Sequence, residues 1–234
     1  MKSKGFFGLV AACAMALVCT PSVQAQSADG EGISFGFRAG VNLSNAAMND
    51  DAKRGTDPKM LAGFHVGAIV DIPVMQSLYV QPGLYFSTKG VKTEYENSEY
   101  PEENSETSVN AMYLEIPINV SWRYNFTDML QLQVYTGPYF AVGVGGKTKT
   151  TDGDGEIKTN TFGYDKDAEN EEDEGYGLGR FDCGWGIGAG LAIDQFYVGL
   201  QYQFGFVNTM TGDCWKGDNW DPSAKNRNLS ISVG

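Results

Sequence analysis

The chain has 234 residues and carries 29 acidic against 17 basic side chains, a net charge of −12 at pH 7. That balance excludes a nucleic-acid binder, which needs a basic footprint. Thirty glycines, 12 tyrosines and 13 phenylalanines, with no long stretch of helical period, point to β-structure.

At the N-terminus, Lys2 and Lys4 precede an apolar run from Gly5 to Cys19, followed by Pro21-Ser-Val-Gln-Ala-Gln26 with small residues at Val23 and Ala25. This is the pattern of a secretory signal, residues 1–25, cut after Ala25. The run falls short of the ~20 residues a membrane-spanning helix needs. Val10-Ala-Ala-Cys13 resembles a lipobox, but the apolar tract continues through Val18, where a lipoprotein turns polar. The expected mature domain, 26–234, keeps one histidine, His65, and two cysteines, Cys183 and Cys214.

Alternation dominates this mature domain. In 130–144 the even positions are mostly apolar (Leu130, Leu132, Val134, Phe140, Val142, Val144), and the odd ones are polar, tyrosine or small (Gln131, Gln133, Tyr135, Gly137, Tyr139). Period two places these sets on opposite faces of a strand. Read this way, the chain predicts eight strands: 33–43, 60–72, 78–89, 111–124, 130–144, 181–193, 196–207 and 227–234. Most meet or slightly exceed the ~9–11 residues of a tilted membrane strand. Short connections (73–77, 125–129, 194–195) alternate strictly with long ones (45–59, 90–110, 145–180, 208–226). This is the outer-membrane pattern of periplasmic turns and extracellular loops. A water-soluble sandwich or lipocalin-like barrel would put Lys and Glu on its polar faces; Gly, Gln and Tyr are there instead. The expectation is an all-β, eight-stranded antiparallel transmembrane β-barrel in the outer membrane of a Gram-negative bacterium.

One stretch invites a different reading. Gly184-Trp-Gly-Ile-Gly-Ala-Gly190 has the G-x-G-x-x-A spacing of a dinucleotide turn, which requires a helix after it. Alternation continues through it instead, with Trp185, Ile187, Ala189 and Leu191 outward. The four glycines then face the lumen and make room for Tyr135, Tyr139 and Tyr197.

Gly40-Val-Asn-Leu-Ser44, Gln81-Pro-Gly-Leu-Tyr-Phe-Ser-Thr-Lys-Gly90, Tyr113-Leu-Glu-Ile-Pro-Ile118 and Gly137-Pro-Tyr139 resemble the PorT-type outer-membrane β-barrel family of Bacteroidetes, across nearly the whole mature chain. The resemblance implies location and fold and says little about activity. Such barrels usually end on an aromatic residue, whereas this sequence stops at Ile231-Ser-Val-Gly234, which puts the completeness of the last strand in question.

Candidate sites lie on the inward faces. Arg38, His65, Glu115 and Arg123 form an expected polar cluster in the lumen, with Lys89, Gln81, Gln131, Gln133, Gln201, Gln203 and six tyrosines around it. Buried charges must pair or cost several kcal/mol each, so Glu115 is expected to meet Arg38 or Arg123. A hydrolase would need a nucleophile beside His65, and no serine stands near it in a recognisable motif, so no catalytic residue is expected. The loop 145–180 holds ten carboxylates. Within it Asp152, Asp154 and Glu156 offer oxygen ligands suited to Ca²⁺, although charge runs are usually only solvated. Cys183 and Cys214 are expected to form a disulfide, because a hairpin at 194–195 brings Cys183 near Phe206. Trp215 and Trp220 suit either a binding patch or an interfacial aromatic girdle.

The leading functional expectation is a small closed barrel, non-enzymatic, acting through structure and long acidic extracellular loops. Its partners would be outer-membrane lipid, lipopolysaccharide and an extracellular or periplasmic protein. A porin-like narrow solute channel and an accessory role in protein secretion are the alternatives.

Overall fold

The computed structural model describes residues 32–53, 56–95, 105–152, 155–165, 167–168, 175–215 and 220–234. The expected signal segment, residues 1–25, and the run Glu169–Glu174 lie outside them. The elements are β1 (Ser34–Met48), a single helical turn α1 (Asp50–Lys53), β2 (Asp57–Met75), β3 (Leu78–Tyr95), β4 (Ser105–Asn125), β5 (Leu130–Asp152), β6 (Gly155–Asn160), β7 (Phe181–Ile193), β8 (Phe196–Gly205) and β9 (Ala224–Val233). All eight predicted strands are present, and each pairs antiparallel with the next in chain order, β6 standing aside as a hairpin on β5. β9 pairs back onto β1, with Leu229 opposite Leu43, so the sheet closes into an eight-stranded antiparallel barrel.

The pleat sorts the side chains. On β4, Leu114, Ile116, Ile118 and Val120 are exposed, while Tyr113, Glu115, Asn119 and Ser121 are buried. The same inversion holds on β7 and β8, where Trp185, Ile187, Leu191, Val198 and Leu200 face out. Such a continuous apolar belt is far larger than a soluble monomer tolerates, and in lipid it carries no cost. Polar groups go inside, where closure of the barrel satisfies the backbone and hydrogen bonds and ion pairs engage many of the side chains.

The glycine row of β7 behaves as the alternation predicts. Gly184, Gly186, Gly188 and Gly190 all face the lumen. A Cβ at Gly188 would lie 2.5 Å from Tyr135 Cζ, one at Gly190 2.5 Å from Tyr197 Cε2, and one at Gly184 2.7 Å from Tyr139 Cε1. The bare face is what lets three rings lie flat against the neighbouring wall. Below it, Asp194 takes a left-handed φ of 56°, which lets the chain reverse within two residues.

The structure corrects the loop boundaries. β4 and β5 are 21 and 23 residues long, whereas β8 and β9 have 10 each. The barrel is therefore lopsided, and β2 to β5, joined by β6, project as a sheet beyond the lipid-facing belt. Much of the predicted loops 90–110 and 145–180 is strand. Outside the membrane both faces meet water, so apolar alternation ceases to mark a strand although Thr-rich pairing continues.

Candidate functional site: a locked lumen under an outer stopper

Three linked layers of polar contacts fill the lumen. At the periplasmic end, Arg123 NH2 lies 2.6 Å from Asp71 Oδ2, Gln81 Nε2 donates to Asp71 Oδ1 at 2.6 Å, and the Arg123 guanidinium stacks 4.0 Å above the Tyr79 ring. In the middle, Arg38 sits 3.9 Å above the Tyr197 ring and donates to Gln133 Oε1 at 3.3 Å. Toward the outside, Lys89 Nζ meets Glu115 Oε2 at 2.6 Å with both side chains almost fully buried, and stands 4.2 Å over the Tyr139 ring. Gln203 Nε2 donates to the other Glu115 oxygen, and Tyr139 and Asn226 both donate to Asp182 Oδ2 at 3.1 and 2.9 Å.

The expected cluster is therefore real as a set of inward residues but wrongly paired. Glu115 is bridged by Lys89, and Arg123 takes Asp71. Among the described residues Arg38 meets no carboxylate directly; it rests on two tyrosine faces and an amide. The cause is the stagger of a tilted barrel, which decides which inward residues share a level. Face can be read from period two, but level cannot. Asp71 and Asp182 are inward by the same period two, each near a strand end.

His65 holds a surprise. Its Nδ1 lies 2.8 Å from Asn42 Oδ1 and its Nε2 2.9 Å from Ser232 Oγ. This is a Ser–His–Asn chain of the sort that activates nucleophiles, built from three strands and invisible as a local motif. The mid-lumen cavity lined by His65, Ser232, Glu115 and Tyr135 holds about 20 Å³, the room of a single water molecule. Asn42 is in turn fixed by donating to Ser87 Oγ and the Thr88 carbonyl, so the chain ties β1, β2, β3 and β9 together.

Above the Lys89–Glu115 pair the lumen is stoppered from the loop side. Phe162, beyond β6, is buried against Gly143 and meets the Tyr113 ring edge-on at 5.6 Å. Arg180 lies over its other side at 5.4 Å and donates to the Gly143 carbonyl at 3.0 Å. Beside this stopper a cavity of about 300 Å³ opens at the outer mouth, walled by Val91, Val109 and Ala224, floored by Lys89 and roofed by Met210 and Trp215. Trp215 donates to the Tyr176 carbonyl at 3.0 Å and packs against Trp220 at 5.8 Å. Trp215 thus belongs to the roof of the mouth, and Trp220 packs on it while donating to the Asp51 carbonyl at 3.1 Å.

The expected disulfide between Cys183 and Cys214 does not form. Period two turns Cys183 outward with Trp185 while Asp182 goes in, and Cys214 packs against Gly177 and Gly212 among the roof residues. Of the carboxylates considered for Ca²⁺, Asp154 and the side chain of Asp152 lie outside the described residues. Glu156 is engaged by Lys149 and Lys158 at 2.5 and 2.7 Å.

With the closed barrel and its polar interior in place, the comparison with known families decides the kinship. The family described as "Outer membrane protein beta-barrel domain" matches residues 24–211. The chain belongs to that family. It is an outer-membrane protein, and the apolar belt of this outer-membrane barrel is its lipid contact. No curated protein sequence matches it. Among solved structures it is similar to the attachment invasion locus protein Ail of Yersinia pestis, at 14% identity over 88% of this chain and 98% of that one, with a TM-score of 0.37. It is also similar to Neisserial surface protein A (11%, 87% and 97%, 0.39) and to the N-terminal barrel domain of OprF from Pseudomonas aeruginosa (10%, 84% and 96%, 0.27).

Proposed function

We propose that this protein is a sealed, non-enzymatic outer-membrane barrel whose work is done by its extracellular face, through lipid and protein contacts. The observation that supports this reading best is the lumen itself. Two buried ion pairs, stacked rings and the Phe162 stopper occupy the axis, and the mid-lumen space amounts to one water. A solute path would require breaking the Lys89–Glu115 pair inside a low-dielectric wall. The Ser232–His65–Asn42 chain, beside the room of a single water, serves as a strand tie.

A PorT-type kinship fits this role. The segments that carry the resemblance supply the lock: Asn42 from the first, Lys89 from the second, Glu115 from the third and Tyr139 from the fourth. What they specify is closure, and a part in secretion would rest on the extracellular or periplasmic ends.

Liposome swelling with small sugars tests the sealed reading. Swelling no faster than protein-free vesicles is expected, and swelling that falls with solute size would establish the channel instead. Phospholipid deacylation lost on Ser232→Ala would overturn the non-enzymatic part.

A further inference from the structure

The projecting sheet carries its charges in rows. Strand register places Lys59 opposite Lys92, Lys92 opposite Ser108, Ser108 opposite Lys149 and Lys149 opposite Lys158, a single line across β2, β3, β4, β5 and β6. The next outward-facing row, farther from the membrane, runs through Asp57, Glu94, Glu106, Thr151 and Glu156. The row on the membrane side runs through Gly90, Asn110, Lys147 and Asn160 and contains no carboxylate.

A ladder made only for stability would put lysine opposite glutamate. Here two lysine pairs face each other directly across strands, which is unfavourable by itself. The glutamates compensate from one side only. Glu94 meets Lys59 and Lys92, Glu106 meets Lys92 at 2.7 Å, and Glu156 meets Lys149 and Lys158. Each ammonium has three donors, and the adjoining row on the membrane side offers no acid to take them. Exposed pairs of this kind contribute little to stability, so exchanging one carboxylate for another anion costs little.

Height identifies the anion. Met112 is the last apolar outward residue on β4, and Ser108 stands four residues beyond it. At ~3.3 Å per residue and a tilt of ~35–45°, the row lies roughly 10 Å above the edge of the apolar belt. The headgroup regions add about 5–8 Å on each side of the hydrocarbon, so the row stands just above them, and lysine stems bent toward the membrane bring the ammonium groups down to headgroup level.

We propose that the line Lys59–Lys92–Lys149–Lys158 docks the phosphate groups of outer-leaflet glycolipid, the carboxylate row behind it holding the ammonium groups extended until phosphate arrives. The proposal rests on the outer-membrane reading and names the lipid chemistry that the outer face selects.

The full chain, refolded into nanodiscs of neutral phospholipid doped with diphosphoryl lipid A, provides the test, with native mass spectrometry counting retained lipid. Retention is expected to fall about tenfold when the lipid A is enzymatically dephosphorylated, and by a similar factor when all four lysines become glutamine. The quadruple variant strips the glutamates of partners and can fail to fold, which heat-modifiable gel migration reports. Lys158→Gln, on β6 and outside the barrel circuit, is therefore the second variant, expected to lower retention about twofold to threefold. Converting Glu94, Glu106 and Glu156 to glutamine should raise retention, which a merely structural ladder would not do. Equal retention of phosphorylated and dephosphorylated lipid A, or no change in either lysine variant, overturns the docking line. A protein that still inserts as a sealed barrel in that outcome leaves the reading of the lumen standing.

Discussion

The lumen and the projecting sheet use the same chemistry, lysine against glutamate, at opposite extremes of environment. Lys89 and Glu115 are 1% and 6% exposed, while Lys158 and Glu156 are 58% and 37% exposed. Inside the barrel a broken pair strands a charge in a dry wall, a loss of about 3–5 kcal/mol. On the sheet, water and salt replace either partner at little cost. The inner pairs therefore lock, and the outer ones are free to exchange. One fold has placed its permanent charges where nothing can compete for them, and its labile charges where lipid headgroups can.

The hardest break lies in the wall that both regions share. Gly188→Leu puts a side chain where the Tyr135 ring already lies, with no void to receive it. Folding is expected to fail, seen as loss of the heat-modifiable band; a normally migrating barrel would show that the ring has somewhere else to go. Next comes the lock. Glu115→Ala should lower the urea midpoint in lipid by the equivalent of about 3–5 kcal/mol, because Lys89 is left buried without its carboxylate. The double replacement Lys89→Met with Glu115→Leu should recover most of that loss, since an apolar pair of similar volume leaves no orphan charge. If the single variant were as stable as the parent, the pair would be no lock.

The stopper should matter less. Phe162→Ala removes one ring from the mouth, and the expected result is a barrel that folds normally with faster hydrogen exchange at Gly143 and Thr161, whose amides bond the Arg180 and Gly146 carbonyls. The smallest effect belongs to the ladder. Lys59, then Lys92, hold Glu94 below the ordinary carboxylate range, and Lys149, then Lys158, do the same for Glu156. A depressed folded pKa means stability fully present above the unfolded value of about 4.3 and lost as pH falls through the folded value. Amide exchange on β6 should thus rise below about pH 4 while the barrel strands stay protected. Protection of β6 that is indifferent to acid would show that the glutamates do not hold it.

Much of this was legible in the sequence, for a specific reason. Where a strand is wet on one side and greasy on the other, period two is imposed by the solvent, so the eight barrel strands and the lumen-facing glycines of β7 could be read directly. Four things could not. The extension of β4 and β5 and the existence of β6 lie where both faces meet water and no hydrophobic period survives. The partners of Glu115, Arg123 and His65 depend on register and barrel stagger, which no local pattern encodes, so Asn42 meets His65 from a diagonal position on β1 and Ser232 from β9 at the other end of the chain. Phe162 lay inside a loop marked by its acidity, a single buried ring with nothing in its flanking residues to announce it. The lysine line was present as scattered residues and became a line only when register aligned them.

The central claim is that the lumen is shut, and single-channel recording of the purified protein in a planar bilayer tests it most directly. The locked lumen predicts a quiet trace at physiological salt across the usual voltage range, with brief openings gained when Lys89 and Glu115 are both replaced by alanine. Stable, uniform conductance steps from the unaltered protein would contradict it.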